Sequence, residues 1–160
     1  TRPEPGPVVD GWPELAVLHP PLGWQSGPND GSIVVRLDYG AASVLFTGDA
    51  EAAAERAMVG ADGRLAATVV KVPHHGSATS SSAEFLDRVA PRIAVISAGV
   101  DNRYRLPSAA VEARYAARGV CVLRTDRCGA ITVETDGTQV STTAEVAGCG
   151  CPRVLLRPLP

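Results

Sequence analysis

The chain has 160 residues, 45% of them hydrophobic, which suffices for one globular domain with its own core. Its formal net charge of −2 excludes a global basic field that collects nucleic acid, so any such contact must be local. No apolar stretch approaches the roughly 20 residues that span a bilayer, and Thr1-Arg2-Pro3-Glu4 does not begin a signal peptide.

The pattern of apolar residues predicts alternating strands and helices in the middle of the chain and hairpins at both ends. We predict a flexible lead-in over residues 1–13, a folded domain over 14–145 and an irregular tail over 146–160. In chain order the predicted elements are a strand at 14–18, a hairpin of 32–38 with 43–47, a helix at 51–59, a strand at 68–72, a helix that follows the Ser80-Ser81-Ser82 cap and ends at Val89, a strand at 93–97, a helix at 108–118, a strand at 120–124 and a hairpin of 130–135 with 139–143. This order predicts a layered α/β fold with a mixed sheet.

Two predicted strands stop at candidate metal ligands. Asp49 ends the segment Val44-Leu45-Phe46-Thr47-Gly48-Asp49, and His74 and His75 follow Val69-Val70-Lys71-Val72-Pro73. A packed sheet fixes the strand ends while the loops open to solvent, and carboxylates and imidazoles suit Zn²⁺ or Mn²⁺. Alone, Asp49 is better explained as a cap of the following helix. Together with the histidine segment, it is better explained as a ligand.

The four cysteines leave two interpretations open. Cys121, Cys128, Cys149 and Cys151 lack the paired spacing of a structural zinc site. Disulfides in an exported domain are one reading, and buried or idle thiols are the reading that we favour from the sequence.

Six sequence blocks occur in an order that closely resembles the C-terminal metallo-β-lactamase-like domain of the ComEC family of DNA-uptake proteins. They cover residues 15–137 and are Leu18-His19-Pro20-Pro21, Asn29-Asp30-Gly31-Ser32, Leu45-Phe46-Thr47-Gly48-Asp49, Lys71-Val72-Pro73-His74-His75-Gly76-Ser77, Ile96-Ser97-Ala98-Gly99 with Asn102-Arg103-Tyr104, and Arg124-Thr125-Asp126 with Gly129. The resemblance implies an αββα sandwich, a two-metal site using Zn²⁺ or Mn²⁺ and hydrolysis of phosphodiesters in DNA. It also implies a plasma-membrane channel as the parent protein, with this domain on the extracytoplasmic side.

The resemblance assigns roles to the candidate ligands. Asp49 corresponds to the aspartate that bridges two metal ions. The segment Pro73-His74-His75-Gly76 resembles the family's Pro-Gly-His-Gly loop, which makes His75 the better ligand and leaves His74 as a supporting, substrate-facing or structural residue. His19 is expected to be structural. Asp49 and His75 are the predicted catalytic residues.

Two departures from the family pattern stand out. The His-x-His-x-Asp-His motif of the fold's N-terminal half is not found among the 160 residues, so the chain is expected to be the C-terminal half, with the N-terminal half and the membrane channel as its partners. Leu106 stands where the family usually has histidine. Leucine neither binds a metal nor transfers a proton.

Nucleic-acid contacts are predicted at Lys71, Ser77, Asn102, Arg103, Tyr104 and Arg124. Each has a plainer alternative. Lys71 suits a solvated strand end, Ser77 a helix cap, which we favour, and Asn102 and Tyr104 ordinary loop positions. Because Tyr104 is the one plausible stacking platform, base-specific recognition is not expected.

The sequence therefore predicts a metal-dependent nuclease domain of a competence protein, inactive without its other half. Two alternatives remain: a degenerate, non-catalytic DNA-facing module, which Leu106 favours, and a hydrolase of another substrate such as a lactone or thioester. We also expect weak metal binding by this chain alone. Since a lone half would leave one apolar sheet face uncovered, we further expect self-association.

Overall fold

The computed structural model describes residues 14–61 and 64–156, so the predicted lead-in lies outside the described residues. The elements are β1 (Glu14–His19), β2 (Val34–Tyr39), β3 (Ala42–Phe46), α1 (Ala52–Gly60), β4 (Val69–Lys71), α2 (Ala83–Val89), β5 (Ile93–Ile96), α3 (Ala109–Ala116), β6 (Cys121–Arg124), α4 (Thr125–Cys128), β7 (Ile131–Thr135), β8 (Gln139–Ala144) and β9 (Val154–Leu155), with short 3-10 turns at Asn29–Gly31 and Pro73–Gly76. Within these residues no helix is both long and apolar enough to cross a bilayer.

The first six strands form one mixed sheet in the order β1-β2-β3-β4-β5-β6. The strands β1, β2 and β3 are antiparallel neighbours, whereas β3, β4, β5 and β6 run parallel. The loops that follow β3, β4 and β5 therefore meet at one edge of the sheet, which is where the sequence places its candidate ligands. The predicted mixed sheet is confirmed.

Helices α1, α2 and α3 cover one face of this sheet. The main core packs between them, and its largest members are Leu45 and Ile96 from the strands, Phe85 and Leu86 from α2, and Tyr115 from α3, all buried. The cap of α2 is Ser82, whose side chain accepts a hydrogen bond from the Phe85 amide at 3.3 Å. This confirms the predicted serine cap and the apolar face of α2.

A wholly buried carboxylate ties α1 to the start of α2. Glu55 of α1 accepts hydrogen bonds from the backbone amides of Ser81 and Ser82, and the latter measures 2.9 Å. Ser81 has a positive φ of 57°, so its amide faces α1 rather than solvent. A buried charge is tolerated when its oxygens are bonded in this way, and the bonds fix the start of α2 relative to α1.

The opposite face of the large sheet is covered in part by a second sheet, β7-β8-β9. Val140 of β8 and Val154 of β9 pack against Ala42, Val69 and Ile93. The expectation that this face is uncovered is therefore wrong for the part formed by β4 and β5. The hairpin of β7 and β8 is predicted from the sequence, but its packing onto this face is a tertiary contact that no local pattern shows, and β9 is a two-residue strand within the predicted irregular tail of residues 146–160.

An apolar strip on the same face remains exposed beside the second sheet. It consists of Leu15 and Val17 on β1 and Phe46 on β3, with exposed fractions of 63%, 62% and 47%. The register aligns Val17 with Val35 of β2, and Val35 with Phe46, so the three side chains lie on one face. Self-association of the chain through this exposed strip is still expected, although the exposed apolar area is smaller than the sequence implies.

Two disulfides flank the second sheet: one attaches the segment before β9 to the first sheet, and the other joins α4, before β7, to the segment after β8. Cys121 of β6 pairs with Cys151, and Cys128 of α4 pairs with Cys149. Our preference for idle thiols was wrong, because residues 149–151 fold back onto β8: the Cys151 amide donates to Thr142 Oγ1 at 2.8 Å. Disulfides of this kind persist in oxidising compartments.

Candidate metal centre

Parallel pairing of β3 with β4 places Asp49 next to the histidine segment. Thr47 Oγ1 donates to the Lys71 carbonyl at 2.6 Å, and Lys71 Nζ donates to the Gly48 carbonyl at 3.0 Å. The His74 amide also donates to the Gly48 carbonyl, at 3.1 Å. These three hydrogen bonds connect the loop after β3 to the loop after β4. The position of Asp49 relative to the histidines is therefore set by the backbones of both loops.

His75 is held in the orientation of a metal ligand. Its Nδ1 lies 2.7 Å from the carbonyl oxygen of Ser97, so Nδ1 carries the proton and donates it. Its other ring nitrogen, Nε2, is directed to Asp49 Oδ1 at 3.5 Å, and both side chains are 43% exposed. Metal-binding histidines typically donate their other ring N–H to a carbonyl or carboxylate. The donor set of carboxylate and neutral imidazole fits Zn²⁺ or Mn²⁺.

The backbone of the histidine segment is unusual. His74, His75 and Gly76 have φ values of 47°, 54° and 81°, all in the left-handed region. Such a conformation costs an L-residue about 1–3 kcal/mol and persists where neighbouring structure imposes it. Gly76 is required because a Cβ there would lie 2.5 Å from Pro107 Cβ. The loop that carries Pro107 therefore supports the histidine segment directly.

The Asn29-Asp30-Gly31-Ser32 block proves to organise the aspartate loop. Asp30 Oδ1 accepts from the amides of Glu51 and Ala54, at 3.1 and 2.9 Å, and so caps α1 from a distant loop. Ser32 Oγ accepts from the Asp49 amide at 3.0 Å. Since Asp30 supplies the cap, the alternative role of Asp49 as the cap of α1 is not observed.

His19 is structural, as expected. It is buried, its Nε2 donates to the Asp30 carbonyl at 2.7 Å, and its ring packs edge-on against Trp24 with centroids 4.7 Å apart. The first block of the motif series thus fixes the second, which in turn fixes the Asp49 loop.

His74 is directed away from Asp49 and towards Glu51. Its Nδ1 lies 2.8 Å from Glu51 Oε1, although the N–H is not aligned for a hydrogen bond. Thr79 Oγ1 and Asn29 Nδ2 donate to the same carboxylate oxygen, at 3.0 and 3.2 Å. The role of Glu51 as the partner of His74 is not predicted from the sequence. The signal that could have indicated it is the position of Glu51 two residues after Asp49, in the segment that follows the Thr-Gly-Asp block. This geometry favours His75 over His74 as the ligand.

Lys71 is neither simply solvated nor free for substrate. Its side chain is 25% exposed, and Nζ lies 3.9 Å from Asp49 Oδ1. Burial lowers the pKa of Lys71, while the charge of Asp49 acts in the opposite direction. An ammonium group at this position balances the carboxylate charge and faces the same opening.

The remaining predicted contacts divide into two groups. The side-chain amide of Asn102 is fully hydrogen-bonded to the backbone of its own loop: its nitrogen donates to the Gly99 and Leu106 carbonyls, and its oxygen accepts from the Leu106 amide at 2.9 Å. This supports the alternative that Asn102 is an ordinary loop residue. Arg103 and Tyr104 are exposed, with the guanidinium 4.7 Å from the centre of the ring, and they remain candidates.

Ser77 and Arg124 are occupied by protein partners. Ser77 Oγ lies 2.8 Å from Thr79 Oγ1 and does not cap α2. Arg124 forms a forked pair with Asp126, at 2.9 and 2.5 Å, and a bond to Glu112 at 2.7 Å. These partners raise the pKa of Arg124, and the hydrogen bonds that it donates to Asp126 have the largest effect. The arrangement argues against the predicted phosphate contact at Arg124.

Two donors are too few for a tight site. Among residues 14–61 and 64–156, no three histidine, cysteine, aspartate or glutamate side chains gather where they could hold one ion. A catalytic zinc normally has three protein ligands and a water. We therefore expect the 160-residue chain alone to bind Zn²⁺ or Mn²⁺ weakly in titration calorimetry. Tight binding of two ions per chain would contradict this expectation.

The chain is similar to a family of known proteins and to several curated proteins. The family model described as "Metallo-beta-lactamase superfamily" matches residues 1–100. Competence protein ComA of Neisseria gonorrhoeae is 44% identical over 104 residues, which are 64% of this chain and 15% of that protein. ComE operon protein 3 of Bacillus subtilis is 36% identical over 118 residues, 74% of this chain and 15% of that protein.

An uncharacterised Escherichia coli protein, YcaI, is also similar, at 43% identity over 106 residues, 66% of this chain and 14% of its own length. The chain thus spans about one seventh of the length of the curated relatives that it matches. The matched family model covers the strand ends that carry Asp49 and His75. The chain belongs to the metallo-beta-lactamase superfamily, and these relatives confirm its resemblance to the ComEC family of competence proteins.

Proposed function

We propose that this chain is part of a DNA-uptake protein and contributes Asp49 and His75 to a metal-dependent phosphodiesterase centre. The observation that carries the proposal is the pairing of Asp49 Oδ1 with Nε2 of His75, 3.5 Å apart at the ends of β3 and β4, while Nδ1 of His75 donates to the Ser97 carbonyl. The printed names of ComA and ComE operon protein 3 support the biological setting. Because the chain spans 15% of those relatives, other parts of the whole protein would supply the remaining ligands.

Each residue has a defined part in this centre. Asp49 and His75 would hold divalent metal ions, and Lys71 would balance the charge of the Asp49 carboxylate. When bound, such ions supply an acidified water and neutralise the charge of the scissile phosphate. Arg103 and Tyr104, exposed on the loop that follows β5, would contact the nucleic-acid strand near this edge. The Ser97 carbonyl would keep His75 in its ligand tautomer.

The disulfides support an extracytoplasmic position for the domain. Cys121–Cys151 and Cys128–Cys149 would not persist in a reducing cytoplasm. We propose that the whole protein resides in the plasma membrane with this domain on its outer side. There it would degrade DNA that is not transported.

The substrate class is tested with the full-length protein in detergent. We expect it to cleave labelled single-stranded DNA with Mn²⁺ or Zn²⁺, to lose that activity in EDTA, and to leave small lactones and thioesters intact. Hydrolysis of the small esters without cleavage of DNA would contradict the proposal in favour of another substrate. Hydrolysis of neither, under conditions in which the metal is bound, would favour the degenerate module that Leu106 suggests.

A further inference from the structure

A cleft lies at the amino-terminal ends of β3, β4 and β5, at the opposite end of these strands from the candidate metal centre. It has a volume of about 610 Å³, and the residues that line it include Ala41 and Ser43 at the start of β3, Thr68 before β4 and Arg92 before β5. Asp49 and His75 follow these same strands at their other end. Six positions separate Ser43 from Asp49, so the two sites lie at opposite ends of β3 and at most about 20 Å apart along this segment.

The charge of this cleft is opposite to that of the whole chain. Its lining contains the arginines Arg36, Arg64, Arg88 and Arg92 and a single carboxylate, Asp38, whereas the chain has a net charge of −2. A concave wall of one sign concentrates the potential and attracts ligands of the opposite sign. The cleft is therefore a local basic site of the kind that the composition requires for any nucleic-acid contact.

One of the four arginines builds the cleft and does not face the ligand. Arg36 is buried and forms a forked pair with Asp38, at 2.7 and 2.6 Å. It also donates to the Ala66 carbonyl, which anchors the loop between α1 and β4. The single carboxylate of the lining is thereby neutralised by Arg36, which leaves the charge of the other arginines uncompensated.

The other three arginines are exposed and come from separate parts of the chain. Arg64 precedes β4, Arg88 lies in the last turn of α2, and Arg92 precedes β5. Arg64 lies 3.6 Å from Asp38. Within the part of the chain that the structure describes, neither Arg88 nor Arg92 forms an ion pair with a carboxylate. Guanidinium groups have the forked donor geometry that binds phosphate oxygens.

The walls of the cleft contain no aromatic platform. Its apolar members are aliphatic, including Leu65 beside Arg64 and Leu156 after β9. Base stacking on aromatic rings is therefore not available there, and contacts to the phosphates would dominate. A flexible single strand can bring successive phosphates into a concave cleft, whereas a short duplex behaves as a stiff rod.

We propose that this cleft is a second phosphate-binding site that anchors the backbone of single-stranded nucleic acid at the opposite ends of the strands from the cleaved bond. The inference rests on the proposed function for the identity of the ligand. It assigns Arg88 and Arg92 as the main contacts, with Arg64 at the rim. Binding there is independent of sequence and of metal.

The test is fluorescence anisotropy with a labelled 12-residue oligothymidine and the full 160-residue chain in EDTA, so that neither metal nor cleavage contributes. We expect Arg88→Ala with Arg92→Ala to weaken binding roughly tenfold at low salt and to reduce the slope of log K against log salt by about 1.4, or 0.7 per phosphate contact. The matched control replaces two exposed arginines outside the cleft, Arg56→Ala with Arg153→Ala, and retains the parental affinity and slope.

Three outcomes would overturn the inference. The first is parental affinity in the Arg88→Ala and Arg92→Ala variant, and the second is an equal loss in the control, which would indicate a diffuse charge effect. The third is binding to vesicles that contain phosphatidylglycerol, lost in the same variant, with no binding of the oligonucleotide. A failure of metal-dependent cleavage by the full-length protein would overturn the proposed nuclease but leave this binding result unchanged.

Discussion

Asp49→Ala and His75→Ala are each expected to lower DNA cleavage by the full-length protein roughly a thousandfold or more, beyond the 10–100-fold loss typical of residues that only support a ligand. The reason is that each change removes one proposed metal donor from a pair whose atoms lie 3.5 Å apart. The measurement is the single-turnover rate on labelled single-stranded DNA at saturating metal. Circular dichroism of each variant checks that the loss is not unfolding, and we expect native spectra because both side chains are partly exposed.

Two variants serve as controls for that assignment. Leu106→Ala removes an aliphatic side chain that has no catalytic role, and activity should be unchanged. His74→Ala should cost about 10–100-fold, because His74 supports the loop through Glu51 and does not face Asp49. If His74→Ala is the lethal change and His75→Ala is mild, the assignment of the ligand is reversed, and the family membership is unaffected.

The double substitution Cys121→Ser with Cys151→Ser removes one disulfide and is expected to lower the free energy of unfolding by about 3–4 kcal/mol. The reason is that the Cys121–Cys151 bond closes a loop of 30 residues. The second sheet then loses its attachment to β6, and Val69 and Ile93 become accessible. Chemical denaturation gives the stability, and binding of a hydrophobic dye reports the uncovered face.

Reduction provides the matched comparison for this prediction. The parent protein in a thiol reductant should unfold like the serine variant, with added loss from the Cys128–Cys149 bond, which closes a loop of 21 residues. A serine variant as stable as the oxidised parent, with no increase in dye binding, would show that the second sheet is held without the disulfide. In that case the cover of β4 and β5 depends on the packing of Val140 and Val154 alone.

The sequence predicts the central elements well because their signals are local. The period-2 and helical patterns located β2 to β8 within about two residues of their observed bounds. The short β9 and α4 were missed because two to four residues carry no periodicity, and only their tertiary contacts define them. Cysteine pairing failed for the same reason, since it depends on a fold-back of residues 149–151 that no local pattern encodes.

The candidate site follows a similar division. The ends of the predicted strands place Asp49 beside the histidines, and the structure brings Asp49 and His75 together. The sequence does not indicate which partners the polar side chains bind by hydrogen bonds. Asn102 and Arg124 are predicted from the sequence to contact nucleic acid. In the structure Asn102 bonds to the Leu106 carbonyl, four residues away, and Arg124 bonds to Glu112, 12 residues away. The left-handed backbone of His74 and His75 is likewise imposed by the surrounding loops, not by residue type.

The central claim is that Asp49 and His75 are metal donors in the whole protein, and the direct measurement is the metal content of the purified full-length protein. We expect the parent to retain divalent metal through gel filtration, and Asp49→Ala with His75→Ala to lose most of it while remaining folded. Leu106→Ala should keep the parental amount. A parental metal content in the Asp49→Ala and His75→Ala variant would contradict the account.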